Sequence, residues 1–132
     1  MLKSCLYMLT CFMLMSCSYH DNSGNVAMPD WVYGDTPSGK VCYVGSSKPH
    51  INGIPFQRAL AVSRAIEGIA RQKGVSVNVD LEHLMQGTSN SSSSQLSVYS
   101  VQTTKGEVVK AKINKSWLNP NTEELFLMMC EE

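Results

Sequence analysis

Residues 55–74 read PFQRALAVSRAIEGIARQKG, and the apolar side chains in this stretch recur every three or four positions. Such spacing places them on one face of an α-helix, with the charged side chains mostly on the other face. Pro55 suits the first turn of a helix, and Lys73 and Gly74 supply a basic last turn and a stop. The stretch therefore predicts one long amphipathic helix. Its apolar stripe consists of Phe56, Ala59, Val62, Ile66 and Ile69, widened by Leu60, Ala65 and Ala70.

Four segments around this helix have the patterns of β-strands. Residues 41–45 form a short Val- and Tyr-containing run between two turns, and residues 75–82 alternate apolar and polar side chains without a fault. Residues 109–117 also alternate, which predicts a second half-exposed strand. Residues 125–129 are apolar at both parities, so this strand is expected inside the sheet with a neighbour on each edge. The inward positions of the two alternating segments are Val75, Val77, Val79 and Leu81, and Val109, Ala111, Ile113 and Trp117.

This order of elements predicts an α+β fold, with one long helix packed on a mainly antiparallel three- to four-stranded sheet. Residues 95–104 fit either an extended segment or a weak helix, and the Ser-rich residues 87–94 are too polar to pack. Removing 16 of the 132 residues as a signal leaves 116, the size of one small domain. We therefore expect a signal peptide at 1–16, a lipidated flexible tether at 17–28 and a single α+β domain at 29–132.

The charge balance argues against nucleic acid as a partner. The chain has 11 Lys and Arg residues against 11 Asp and Glu residues. The predicted signal carries only Lys3, so ten basic residues remain against eleven acidic ones. Proteins that bind nucleic acid through its phosphates usually carry a large basic excess. No such excess is present here.

The N-terminal residues have the layout of a lipoprotein signal. Lys3 is followed by an uncharged apolar run at residues 5–15, and these eleven residues are fewer than the about 20 that a membrane span needs. The run ends in LMSC at residues 14–17, which matches the motif read by the lipoprotein signal peptidase. This predicts cleavage between Ser16 and Cys17.

Cys17 is the predicted lipidation site. A thiolate is nucleophilic enough to accept a diacylglycerol as a thioether, and the small Ser16 lets the peptidase reach the bond. Two or three acyl chains on one residue give durable anchoring, whereas a single chain is marginal. Ser18 follows the cysteine where Asp would be a retention signal, which by the sorting rule of enteric bacteria favours the outer membrane. The alternatives are an uncleaved apolar anchor and a secreted protein with a chance cysteine.

Cys42 and Cys130 are the two thiols left once the signal is removed and Cys17 is acylated. Two thiols in an exported protein often pair. If the first and last strands are antiparallel neighbours, the start of one lies opposite the end of the other, so a disulfide is geometrically plausible. The alternative is a pair of reduced, partly buried cysteines.

No constellation of catalytic or metal-binding residues is apparent. The three histidines, His20, His50 and His83, are far apart, and on a strand Asp80 and Glu82 would point away from His83. The chain has no Gly-x-Ser-x-Gly elbow and no phosphate-binding glycine loop. We therefore predict no catalytic residue, no metal, no cofactor and no small-molecule substrate, and a protein that is not an enzyme.

Several short motifs together resemble one known family. They are the cleaved signal, Pro29-x-Trp31-Val32, the run Tyr43–Ser47, an Ala-rich helix, and a closing Trp117 followed by Leu125–Leu127. In this combination the chain resembles the small lipoproteins typified by the twenty-kilodalton membrane-associated lipoprotein antigen of Helicobacter. Ser47, where the family usually has Ala, and Cys42 depart from its pattern. The resemblance implies an outer-membrane lipoprotein with a compact α+β domain and no known catalysis.

Two functions remain open at this point. The first is a structural or interaction role in the cell envelope, with self-association or envelope protein partners, since some members of the family build a ring around the flagellar motor. The second is a binding module for peptidoglycan or a host surface molecule, because other members are surface antigens. It would bind through the basic face of the helix and the Ser-rich loop. Independently of this module, Arg58, Arg64 and Arg71 on the helix and Lys110, Lys112 and Lys115 on a strand could meet anionic lipid headgroups or peptidoglycan, although a solvated face explains these charges equally well.

Overall fold

The computed structural model describes residues 26–84 and 98–132, and it has the predicted α+β fold. A 3₁₀-helix, η1 (Asp30–Tyr33), precedes strand β1 (Cys42–Ser47) and the long helix α1 (Gly53–Gln72). Strands β2 (Val98–Gln102), β3 (Val108–Leu118) and β4 (Leu125–Glu131) follow. The four strands form one antiparallel sheet in the order β1-β4-β3-β2. The predicted signal, residues 1–16, and most of the predicted tether lie outside the described residues, as does the Ser-rich stretch.

The predicted helix is confirmed, and it begins two residues before Pro55. Its small side chains let it lie very close to β1. A side chain at Gly45 would overlap the backbone of Ala61 and Ala65, and one at Gly68 would overlap the Tyr43 ring. The helix therefore contacts β1 through a glycine on each partner, which only residues without a side chain permit.

Strand β4 lies between β1 and β3, as the apolar character of both its parities predicted. Leu125, Leu127 and Met129 join the core beneath α1. Met128 and Cys130 belong to a second cluster on the opposite side of the sheet. Both faces of this strand are therefore covered by other parts of the domain.

The prediction of a strand at residues 75–82 is wrong. Only Val77 forms a bridge, with Thr103, and the inward side chains are half-buried against the core as the alternation predicted. At Asp80 the chain turns into a helical turn at residues 81–84, and the Asp80 carboxylate accepts hydrogen bonds from the backbone N–H groups of Glu82 and His83, at 2.9 and 3.3 Å. This side chain caps the turn and so favours it over a continued ladder.

The predicted strand at residues 109–117 exists, but its alternation is interrupted. The register with β4 shifts between Ile113 and Lys115, so Asn114 is an extra residue in a β-bulge. Ile113 faces α1, whereas Trp117 packs in the cluster on the other side of the sheet. The expectation that Trp117 shares the inward face of Ile113 is therefore wrong, because a bulge reverses the parity of every residue beyond it.

No helix in the described ranges is long and apolar enough to span a bilayer.

Candidate interaction surface

Two of the four predicted site residues, Ser16 and Cys17, lie outside the described residues. The other two, Cys42 and Cys130, are directly opposite on β1 and β4, and their sulfur atoms are bonded in the structure. The backbone N–H of Glu131 donates to the carbonyl of Val41 at 2.9 Å, so the two cysteines form a non-hydrogen-bonded pair, where antiparallel strands approach most closely. Of the alternatives that the sequence leaves open, the structure has the disulfide.

The disulfide lies in a small core on the sheet face opposite α1. We call this core the disulfide cluster. Its buried members are Trp31, Cys42, Met128 and Cys130, and the half-buried Val32, Val44, Trp117 and Phe126 pack against them. The Trp117 and Phe126 rings are 5.7 Å apart between centroids. The cover is supplied by η1, because Trp31 is 9% exposed although it stands in a four-residue element.

The rest of that sheet face carries three lysines. Lys110 and Lys112 alternate with Val109, Ala111 and Ile113, which face α1, so their side chains lie on the opposite side. Lys115 pairs with Met128 of the disulfide cluster and therefore points the same way. A regular strand would turn Lys115 toward α1, so it is the bulge at Asn114 that brings it to this face. We call these three residues the lysine row and the whole side the open sheet face.

Few acidic side chains of the described residues lie near the lysine row, although the exposed Asp30 stands in η1, which covers the neighbouring part of the open sheet face. Lys112 Nζ lies 3.9 Å from a carboxylate oxygen of Glu132, and both side chains are partly exposed. An exposed pair at this distance is worth little and is easily exchanged for other anions. Glu131 forms its ion pair with Lys73 at the end of α1, away from the row. The lysine row therefore keeps most of its positive charge for a partner.

The helix arginines form a separate set with different surroundings. Arg64 Nη1 donates to the carbonyl oxygen of Ser46 at 2.6 Å, and Gln72 Nε2 donates to that of Cys42 at 2.9 Å. The register places both carbonyls on the edge of β1 that faces away from β4. Side chains of α1 therefore cover this strand edge, and Arg64 is committed to that contact.

A groove of about 410 Å³ lies between residues 78–84 and β2. Asp80 and His83 line it, but the Asp80 carboxylate is engaged in capping the helical turn. Within residues 26–84 and 98–132, no three His, Cys, Asp or Glu side chains are grouped so that they could hold a metal ion.

Comparisons with known proteins found no relative of this chain. No protein-family model, no curated protein and no solved structure matches the chain. One residue of the sequence could have pointed to the open sheet face. Lys115 is charged, yet it stands at the same parity as Val109, Ala111 and Ile113, which face α1.

Proposed function

We propose that this protein is a lipoprotein of the outer membrane, held there by acyl chains on Cys17. Its α+β domain would have a structural or interaction role in the cell envelope. The observation that carries the proposal is the LMSC motif at residues 14–17, placed directly after an uncharged apolar run. Neither Cys5 nor Cys11 has this context, because no apolar run precedes Cys5, and Cys11 follows Thr10 and has Met8 three positions before it.

The disulfide supports export from the cytoplasm. Bonds of this kind form and persist in oxidising compartments such as the bacterial periplasm and are rare in the cytosol. Cys42 and Cys130 are 5% and 0% exposed, and the bond is packed under Trp31 rather than displayed on the surface. Such burial is typical of a structural bond. A chain that depends on it would need to be translocated before folding is complete.

The role in the envelope is proposed from the resemblance to the family of small lipoproteins, some of which assemble around the flagellar motor. Self-association or binding to other envelope proteins would be the mode of action. Because side chains of α1 cover the outer edge of β1, copies would meet through the β2 edge rather than through β1. We propose no catalytic step, cofactor or small-molecule substrate.

Replacement of Cys17 tests the anchor. The Cys17→Ala variant should lose incorporation of radiolabelled palmitate, retain the unprocessed length and leave the lipoprotein fraction of the outer membrane. The matched control is Cys11→Ala, which removes a thiol from the same segment and should be processed and labelled normally. Unchanged labelling and processing of Cys17→Ala would show that this residue is not the lipidation site.

The role of the domain is tested separately. Extraction in mild detergent should yield an assembly larger than the monomer, and deletion of the gene should impair motility or envelope integrity. A monomer from cells whose deletion strain swims normally and keeps an intact envelope would contradict the structural role, whatever the result for Cys17.

A further inference from the structure

The open sheet face combines a cationic half with an aromatic half. We propose that this face docks on the anionic lipid headgroups of the membrane that holds the protein. The inference deepens the proposed function and rests on it, because it takes the acylated Cys17 as the point of attachment. It assigns a partner, a negatively charged bilayer surface, and an orientation of the domain toward it.

The lysine row supplies the charge complementarity. Lys110 and Lys112 are two positions apart on one strand face, which spaces their Cα atoms by about 7 Å. The bulge at Asn114 adds Lys115 to the same face. Three ammonium groups thus lie along one strand, against the weak pairing of Lys112 with Glu132 and the exposed Asp30 of η1. Basic residues held near an anionic bilayer each strengthen its binding about fivefold.

The aromatic half of the face suits the same partner. Trp117 and Phe126 are half-buried in the disulfide cluster beside Lys115, and Trp31 lies with them. Indole rings are favoured at the headgroup level of membranes, because one side is apolar and the N–H remains polar. Val98 and Val108, 50% and 52% exposed, extend the apolar area on the same face beside the lysine row.

The attachment point brings this face close to the bilayer. The described chain enters through η1, whose Trp31 and Val32 pack on the open sheet face itself. Nine residue steps separate Cys17 from Val26, so this connection reaches at most about 30 Å when fully extended. An acylated Cys17 would therefore hold the face on which η1 lies within reach of the headgroups.

Two other surfaces fit an anionic bilayer less well. On the helix, Arg64 is bonded to Ser46 and is followed one turn later by Glu67. At one end of the domain, Ile51 and Ile54 are 97% and 73% exposed, and the depression beside Ile54 is lined by both Arg58 and Glu123. These two charges offset each other, so this tip presents no row of cations to negative headgroups. The open sheet face has the more favourable charge.

The test uses the two tryptophans, which are the only ones in the chain and both belong to the disulfide cluster. The full-length lipidated protein is reconstituted into vesicles that contain a spin-labelled headgroup quencher, either in neutral phosphatidylcholine or with added phosphatidylglycerol. Tryptophan emission should be quenched more strongly in the anionic vesicles. The difference should disappear in about 1 M salt, where the screening length falls to about 3 Å.

The deciding variant is Lys110→Gln/Lys112→Gln/Lys115→Gln. Loss of three lysines should lower the ratio of docked to undocked domains on the order of a hundredfold, so quenching falls to the level seen in neutral vesicles. The matched control, Lys40→Gln/Lys48→Gln/Lys105→Gln, removes the same charge from outside the strands and should quench like the unsubstituted protein. Circular dichroism of both variants shows whether they remain folded.

Several outcomes would overturn the proposal. They are equal quenching in neutral and anionic vesicles, an unchanged signal in the lysine-row variant, and an equal loss in the control variant. Loss of quenching in Ile51→Ser/Ile54→Ser instead would assign docking to the apolar tip. Sedimentation with purified peptidoglycan that depends on the lysine row, without quenching in vesicles, would assign the row to the cell wall. Failure to float with vesicles at high salt would count against the anchor, not against docking.

Discussion

Breaking the Cys42–Cys130 bond should strongly destabilise the domain. The two residues are 88 positions apart, so the bond closes most of the domain into one loop. In the chain-entropy treatment, a loop of this length contributes about 4.6 kcal/mol by restricting the unfolded chain. Small domains have a total free energy of unfolding of about 5–15 kcal/mol. Reduction should therefore remove a large share of the stability and lower the melting temperature on the order of 20 °C.

Tryptophan emission in a urea titration is the direct assay. Trp31 packs against the bond, and disulfides quench nearby indole emission, so reduction should raise the native signal as well as shift the unfolding midpoint. The Cys42→Ala/Cys130→Ala variant provides the control, because its midpoint should resemble that of the reduced protein and should not respond to reductant. Equal midpoints with and without reductant, or alkylation of both thiols in the unreduced native protein, would refute the reasoning.

Two substitutions test how α1 is held on the sheet. Gly45→Ala should lower the free energy of unfolding by about 3 kcal/mol or more, because the added methyl group meets the helix backbone at Ala61 and Ala65. Ser46→Ala, on the other face of the strand, should lower it little. Urea midpoints of the two variants measure the difference, and equal midpoints would contradict the close contact. Gln57→Met should cost about 1–3 kcal/mol in the same assay, because the buried amide donates to the carbonyl oxygens of Ser47 and Glu123, at 3.0 and 2.7 Å. Gln72 is exposed and makes one such bond, so Gln72→Met should lower the free energy of unfolding by less than Gln57→Met does. A larger loss of stability in Gln72→Met would be inconsistent with these contacts.

The helix and the central strand could be predicted because in each of them the positions of the apolar residues in the sequence match the positions that are buried. The stripe from Phe56 to Ile69 fits one helix face, and residues 125–129 have no polar side that solvent could cover. Residues 75–82 show what an alternating pattern leaves open. Their alternation reports which side chains face the core, and this was right, but burial on one side does not require a hydrogen-bonded neighbour along the whole length.

The candidate surface was harder to predict, since it depends on a bulge. One inserted residue at Asn114 moves Lys115 and Trp117 from the core face to the open sheet face, and no turn or glycine marks the position. The disulfide was easier, because it needed only the adjacency of the first and last strands. The burial of Trp31 could not be predicted, because a four-residue 3₁₀-helix is too short to have a recognisable pattern of apolar residues.

The bulge and the unequal covering of the sheet are parts of the same arrangement. Continued alternation beyond Ile113 would turn Lys115 to the side of the sheet on which α1 packs and Trp117 with it. The bulge places Lys115 on the open sheet face and lets Trp117 complete the disulfide cluster. Since η1 and its Trp31 cover only the part of the face over β1 and β4, the lysines of β3 remain uncovered. The position of the lysine row at the rim of the disulfide cluster thus follows from the same bulge that brings Trp117 into the cluster.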